Sequence, residues 1–320
     1  MLKPFVCTLL SLSLWGVSSL SYSQTSATIA PKTSQSEGPR LDLQRKGTTQ
    51  QFTMKSKYTP NEYFIQVYIP YTPAPKTGYP VLYMLDGNAV FNSASSIAQS
   101  LGGGSEKMGL DPVVIVTIGY PSETQFSGQQ RALDYTPLPK SDPQKDERYQ
   151  YGGADNFLKF IQNELKPRIQ QGIQINTQQQ TLFGHSFGGL FTLDTFFKHP
   201  QSFNRYIAAS PSLWFDQSVL TKELQQFKQK KTDFKTPILV MTTVGTAEGR
   251  GRPPRGSQPA NTSSNFFEDF EALRSDQLKY WHFRHPAEQH ITNMYASLPK
   301  AILFAACNGS ENCSKLFNEN

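Results

Sequence analysis

Cysteine is scarce in this chain, with three residues among 320. Cys7 falls inside an N-terminal apolar run, which leaves Cys307 and Cys313 as a pair near the C-terminus. No histidine or acidic cluster accompanies the pair, so nothing marks it as a metal site. In an exported protein an even pair implies a disulfide closing a short loop; the alternative is two free thiols on a tail. Apolar residues make up 37% of the chain, enough for a core and far too few for a membrane bundle. Also missing are a Lys/Arg-rich helix, an aromatic–basic repeat and any nucleic-acid motif. Nucleic acid is therefore excluded as a partner, in spite of a net charge of +6. There is no internal repeat and no second domain boundary.

What is present begins with a secretory pattern: Lys3, an apolar run from Phe5 to Leu20, then small residues at Ser21 and Ser23. Cleavage after Ser23 is expected. The mature protein is then secreted or periplasmic and has no stable membrane anchor. Residues 24–50, rich in Ser, Thr and Gln, are assigned to a flexible leader, 51–306 to one folded domain, and 307–320 to a C-terminal tail. Within the domain, strand and helix patterns alternate. Tyr63–Ile69 alternates as a half-exposed strand. Val81–Leu85, Val113–Ile118 and Pro237–Thr243 are unbroken apolar runs of the kind buried on both faces of a parallel sheet. Helical spacing links Phe157, Phe160, Ile161 and Leu165, and further helices are expected at Ser218–Lys230, Phe266–Ser275 and Tyr295–Ala305. This alternation predicts an α/β architecture with a mostly parallel central sheet.

Gly184-His185-Ser186-Phe187-Gly188, followed by Gly189, lies between an apolar extended run and a helical stretch. The five-residue pattern alone arises by chance; its strand–turn–helix setting gives it weight. A turn that tight pushes a serine hydroxyl out of the sheet and aims the next backbone N–H at the same spot. A serine nucleophile also needs a base and an orienting acid, in the order nucleophile, acid, histidine. Of five histidines, His185 is inside the turn, His199 ends a helix before Pro200, and His282 and His285 lie on or beside the last strand. His290, in the PAEQH loop, is the expected base. Glu248 is the first carboxylate after Pro237–Thr243 and the expected acid, with Asp216 in reserve. For the oxyanion, the backbone N–H of Phe187 is one donor. That of Asn88 is the other, following the Asp86-Gly87 turn after a buried strand.

The segments YPVLYMLDGN, VIVTIGYP, RALDYTP, GGADNFLKFIQNELKP, GHSFGGLF, SPSLWF and PAEQHITN occur in order along the chain. Together they resemble the esterase D-like branch of the α/β hydrolases, and more closely the siderophore esterases that open catecholate trilactones, of the smaller periplasmic type. The resemblance implies an α/β-hydrolase fold with helices on both faces of the sheet. It implies Ser186 as nucleophile, His290 as base, and Asn88 with Phe187 as oxyanion donors. Some members work with a Ser–His pair alone, so the acid stays open among Glu248, Asp216 and none.

The resemblance also places Arg131, in RALDYTP, near the site mouth, where it either contacts substrate or pairs with Asp134. Arg250, Arg252 and Arg255 follow Glu248 in a Gly/Pro-rich loop. Guanidinium groups there suit catechol rings, and a solvated basic loop is the alternative. Tyr120, Trp214 and Phe215 are candidates for pocket walls or for core. The expected partner is a small ester, a catecholate siderophore with or without its iron, and the reaction needs no metal or organic cofactor. A general carboxylesterase, a feruloyl or acetyl esterase, or an acyltransferase would use the same machinery. A non-catalytic ligand-binding protein on this scaffold would not need it.

Overall fold

A computed structural model of the chain describes residues 46–101, 104–140, 146–230, 234, 236–249 and 261–318. The expected signal segment and most of the leader lie outside them. Eight strands form one sheet in the order β1-β2-β4-β3-β5-β6-β7-β8. They are β1 (Thr48–Lys55), β2 (Glu62–Ile69), β3 (Tyr79–Leu85), β4 (Val114–Gly119), β5 (Ile175–His185), β6 (Arg205–Ala209), β7 (Ile238–Gly245) and β8 (Leu278–His285). β1 and β2 pair antiparallel, β2 runs antiparallel to β4, and every pair from β4 through β8 is parallel.

The continuous apolar strands are sandwiched, as their composition requires. On one face Val81, Tyr83, Val116, Leu182, Tyr206 and Val240 pack in a core with Phe157, Phe191, Phe196, Phe227 and Phe270. Those residues belong to the helices α3 (Ala154–Phe160), α5 (Phe187–Lys198), α6 (Phe215–Gln229) and α7 (Asn261–Glu271). Their alternate neighbours Leu82, Met84, Ile115, Phe183, Ile207 and Met241 face the other way. There they meet α1 (Gly87–Ser100), α8 (His290–Ala306) and α9 (Glu311–Asn318). Each fully buried Phe or Leu side chain contributes about 2 kcal/mol of hydrophobic free energy. Two further helices are α2 (Gly128–Tyr135) and α4 (Lys166–Gln170), and one π turn (Ile161–Leu165) joins α3 to α4. Among the described residues no helix is long and apolar enough to cross a membrane.

Two boundaries differ from the sequence expectation. β1 begins at Thr48, inside the stretch assigned to the leader. Its polar sequence TTQQFTMK has no buried residue because it is an edge strand. The C-terminal tail is a packed element, since α9 buries Cys313 and Phe317. Cys307 and Cys313 form a disulfide across six residues. The buried Arg205 donates to the carbonyls of Ala305 (3.0 Å) and Cys307 (2.7 Å), which closes the end of α8 against the sheet.

Candidate active site

Ser186 sits where β5 turns into α5, with φ 58° and ψ −116°. A non-glycine residue at positive φ is strained, and such strain persists only where the surroundings enforce it. Here they do. A Cβ on Gly184 would lie 2.1 Å from the Gly188 carbonyl oxygen, and one on Gly189 would lie 2.9 Å from Pro211 Cα. Gly188 has more room, since its nearest contact would be 3.4 Å, to Leu85 Cδ1. Two glycines rather than three are thus demanded by the turn.

The Ser186 hydroxyl donates to His290 Nε2 at 3.0 Å, and His290 Nδ1–H donates to Glu248 Oε2 at 3.1 Å. The three residues come from the ends of β5, β7 and β8, which the parallel sheet brings to one edge. His290 is the first residue of α8, not part of a loop ahead of it. A capping box between Gln289 and Thr292 starts the helix there. Glu248 Oε1 accepts from the Ser210 hydroxyl at 2.6 Å and from the Gly245 N–H at 2.5 Å. Burial pushes its carboxyl pKa up, but the hydrogen bonds from His290, Ser210 and Gly245 outweigh burial and hold it below the ordinary value. Asp216 is elsewhere: its buried carboxylate accepts from the Lys140 N–H at 3.0 Å.

The other histidines are structural in their surroundings. His185 is buried, and its Nε2–H donates to the His290 carbonyl at 2.7 Å. Desolvation, then the neighbouring His290, depress its pKa to about 3. A neutral ring thus packs 4.6 Å from the His290 ring. His282 stacks on Phe267 and hydrogen-bonds Thr242, His199 caps α5, and His285 Nδ1 donates to Asn293 Oδ1 at 2.7 Å.

Phe187 and Asn88 stand in the first turns of α5 and α1, where backbone N–H groups lack intrahelical acceptors. The two turns touch, since a Cβ on Gly188 would lie 3.6 Å from Asp86 Oδ2. The positive φ of the β3–α1 turn belongs to Asp86 (57°), not Gly87. Gly87 is required for close packing instead: its Cβ would sit 2.9 Å from Thr117 Oγ1. The Asn88 side chain accepts from the Tyr120 N–H at 2.9 Å and donates to the carbonyls of Tyr120 and Ser122, both at 3.0 Å.

Arg131 pairs with both oxygens of Asp86 rather than with Asp134. Its side chain is largely buried, with the guanidinium over the rings of Phe126 and Tyr135, so it braces the β3–α1 turn. Tyr120 is core, with its hydroxyl on Asp134 Oδ2 at 3.0 Å, and Phe215 is buried as well. Trp214 is 51% exposed, and its ring lies 5.8 Å from that of Phe187, the residue after Ser186. Ile291, beside His290, is 50% exposed. A cleft of about 350 Å³, lined by Leu133, Leu138, Pro139, Tyr149, Gln150 and Tyr151, adjoins Phe215 through the Tyr151 ring. Arg250, Arg252 and Arg255 lie outside the described residues.

Sequence reasoning missed Ser210, Ser212 and Asn293. The Ser212 hydroxyl reaches Ser186 Oγ at 3.3 Å, and its N–H donates to the Ser186 carbonyl at 3.1 Å. Ser210 and Ser212 were visible only as part of SPSLWF, and Asn293 only as the end of PAEQHITN. Among the described residues no group of three or more His, Cys, Asp and Glu side chains gathers as metal ligands would.

The chain matches the family model described as "Putative esterase" over residues 56–277. It is 32% identical over 273 residues to the ferri-bacillibactin esterase BesA of Bacillus subtilis (strain 168), covering 81% of this chain and 92% of that one. Over 158 residues it is 39% identical to the apo-salmochelin esterase of Escherichia coli O6:H1, covering 47% of each chain. The crystal structure of the BES protein from Bacillus cereus superposes with a TM-score of 0.72 at 34% identity, covering 81% of this chain and 96% of that one. The architecture is that of an α/β hydrolase.

Proposed function

The chain belongs to the Esterase family and is a serine ester hydrolase, and we propose that it opens the ester bonds of catecholate trilactone siderophores outside the cytoplasm, with Ser186, His290 and Glu248 as its catalytic triad. One observation carries the chemistry: the unbroken hydrogen-bonded line from Ser186 Oγ through His290 to Glu248. Its distances suit proton transfer without rearrangement. Ser186 Oγ attacks the ester carbonyl carbon while its proton passes to His290 Nε2. The carbonyl π pair moves onto oxygen, where the N–H groups of Phe187 and Asn88 receive it. Glu248, held anionic, stabilises the imidazolium. Collapse of the tetrahedral intermediate breaks the C–O bond, and His290 returns the proton to the departing alkoxide. Water, deprotonated by the same histidine, then releases the acid and restores Ser186.

The substrate class is supported by what the similar proteins are named for, a ferri-bacillibactin and an apo-salmochelin esterase. It is supported also by the aromatic rim, since the half-exposed Trp214, tilted against the Phe187 ring, offers an apolar aromatic face to a catechol ring. Any iron belongs to the substrate. Export rests on the N-terminal apolar run and on the Cys307–Cys313 disulfide, which an oxidising compartment maintains.

The test is product analysis on the purified mature protein, given a catecholate trilactone and a short-chain aryl ester in parallel, with Ser186→Ala as control. Serine-dependent trilactone opening well above the aryl-ester rate is expected, with a loss of about 10⁶-fold in kcat for Ser186→Ala. Aryl-ester turnover without trilactone cleavage would refute the siderophore assignment and leave a general esterase. Full activity in Ser186→Ala would refute the mechanism.

A further inference from the structure

Behind Glu248 lies a closed set of polar side chains whose hydrogen-bond directions are all determined. Glu248 can only accept, so the Ser210 hydroxyl must spend its one proton on Oε1. Ser210 Oγ must then receive a proton from its other neighbour, Asn293 Nδ2, at 2.7 Å. The same amide nitrogen donates to Thr243 Oγ1 at 3.2 Å, and Asn293 Oδ1 accepts from His285 Nδ1–H at 2.7 Å. Ser297 donates to the Asn293 carbonyl at 2.6 Å, which leaves its oxygen to accept from Thr243 at 2.7 Å. The donors run one way, from His285 through Asn293 and Ser210 to Glu248. Asn293 and Ser297 are fully buried, and so are Thr243 and, at 3% exposure, Ser210.

Such a set contributes little net stability, because each buried hydrogen bond replaces one to water. An apolar filling of the same volume would hold the helix as well. What only the polar set supplies is an oriented proton on a stated atom of the acid. Two placements point the same way. His290 and Asn293 are three residues apart in the first turn of α8 and share a face, so base and network hub are set by one helix. Ser210 is held at φ 42°, a conformation a serine adopts only under constraint, directly after β6.

We propose that Asn293 and Ser210 are positioning residues that orient Glu248 toward His290, Asn293 by directing the Ser210 proton onto Glu248 Oε1. This rests on the reading of Glu248 as the triad acid. With Oε1 pinned by Ser210 and Gly245, Oε2 is the oxygen left for the imidazole. Loss of either residue frees the carboxylate to rotate and weakens its support of the imidazolium in the transition state. Ground-state substrate binding is untouched.

The test is steady-state kinetics on an aryl ester for Ser210→Gly, Asn293→Leu and Glu248→Ala, and for each of the first two combined with Glu248→Ala. Thermal unfolding is followed in every variant. Glycine suits the positive φ at position 210, so Ser210→Gly keeps the fold even if Asn293→Leu does not. Each of the two single variants is expected to lower kcat about tenfold, with KM within about twofold. In the Glu248→Ala background neither should cause further loss, because the group they orient is gone. A packing role predicts the opposite, the same factor with or without Glu248, and that additivity would overturn the inference. So would unchanged kcat in folded Ser210→Gly and Asn293→Leu alongside an impaired Glu248→Ala. Unchanged kcat in Glu248→Ala would instead sink the acid assignment itself, and the two failures are told apart by which variant is silent.

Discussion

Two carboxylates in this molecule each receive three hydrogen bonds, yet their pKa values move in opposite directions. Glu248, at the C-terminal edge of the sheet, is held below the ordinary value by His290, Ser210 and Gly245 against the pull of burial. Asp134, on α2, collects Asn61 Nδ2 and the hydroxyls of Tyr63 and Tyr120, all on Oδ2. Its Oδ1 is buried with no partner. Desolvation dominates there and raises the pKa to about 6, against the lowering effect of the three donors. Donor count is therefore not the deciding quantity. Depth of burial decides, together with whether both oxygens are engaged and whether a partner can carry positive charge. The edge of the sheet favours the anion of Glu248 beside His290; the knot under α2 ties the ends of β2 and β4 to α2 through a carboxyl whose pKa is raised to about 6.

The comparison predicts a division of labour. Glu248→Ala should lower kcat about 10⁴-fold on an aryl ester, since the imidazolium loses its counter-charge, while the thermal midpoint stays within a few degrees. A variant of normal turnover would erase the functional side of the contrast. Asp134→Asn should do the reverse. Folded Asp134 keeps its proton to about pH 6, whereas the unfolded chain releases it near the ordinary value of 3.8. The folded state thus binds more protons across that window, and stability from this group falls as pH rises through it, by about 3 kcal/mol in total. Asparagine cannot ionise, so the variant should exceed the parent in stability above about pH 6 and match it below about pH 4. Urea unfolding at the two ends of the window measures this, and a pH-independent difference would break the comparison. Turnover should change less than about twofold, because Asp134 does not touch the triad.

The elbow was legible in sequence because everything that makes it is local: Gly184, Ser186 and Gly189 lie within six residues of chain between one strand and one helix. His290 was legible by order along the chain. Glu248 could be picked by position after β7, but not against Asp216. The choice depends on Ser210 and Gly245, delivered by the ends of two neighbouring strands. Arg131 was assigned a partner three residues away on its own helix, and the sheet supplies a different one, Asp86, 45 residues distant. β1 and α9 escaped for a common reason, since each buries too little to impose a clear period: no residue in one, Cys313 and Phe317 in the other.

The smallest expected effect sharpens the contrast from outside both carboxylates. Trp214 does not ionise, and half its surface faces solvent, with its ring tilted against that of Phe187, the residue after the nucleophile. A side chain so placed is open to what arrives from solution. An aromatic stacking contact contributes about 1 kcal/mol, which corresponds to a factor of about five in affinity. Trp214→Ala should therefore raise KM about fivefold for a catechol-bearing ester and leave kcat within about twofold. For a small aliphatic ester, which has no ring to stack, both constants should be unchanged. A fall in kcat for both substrates would mean that Trp214 supports the elbow through Phe187, and the aromatic rim would lose its part in substrate selection. A KM effect confined to the aromatic substrate would separate recognition at the rim from chemistry at the sheet edge, just as the two carboxylates separate chemistry from stability.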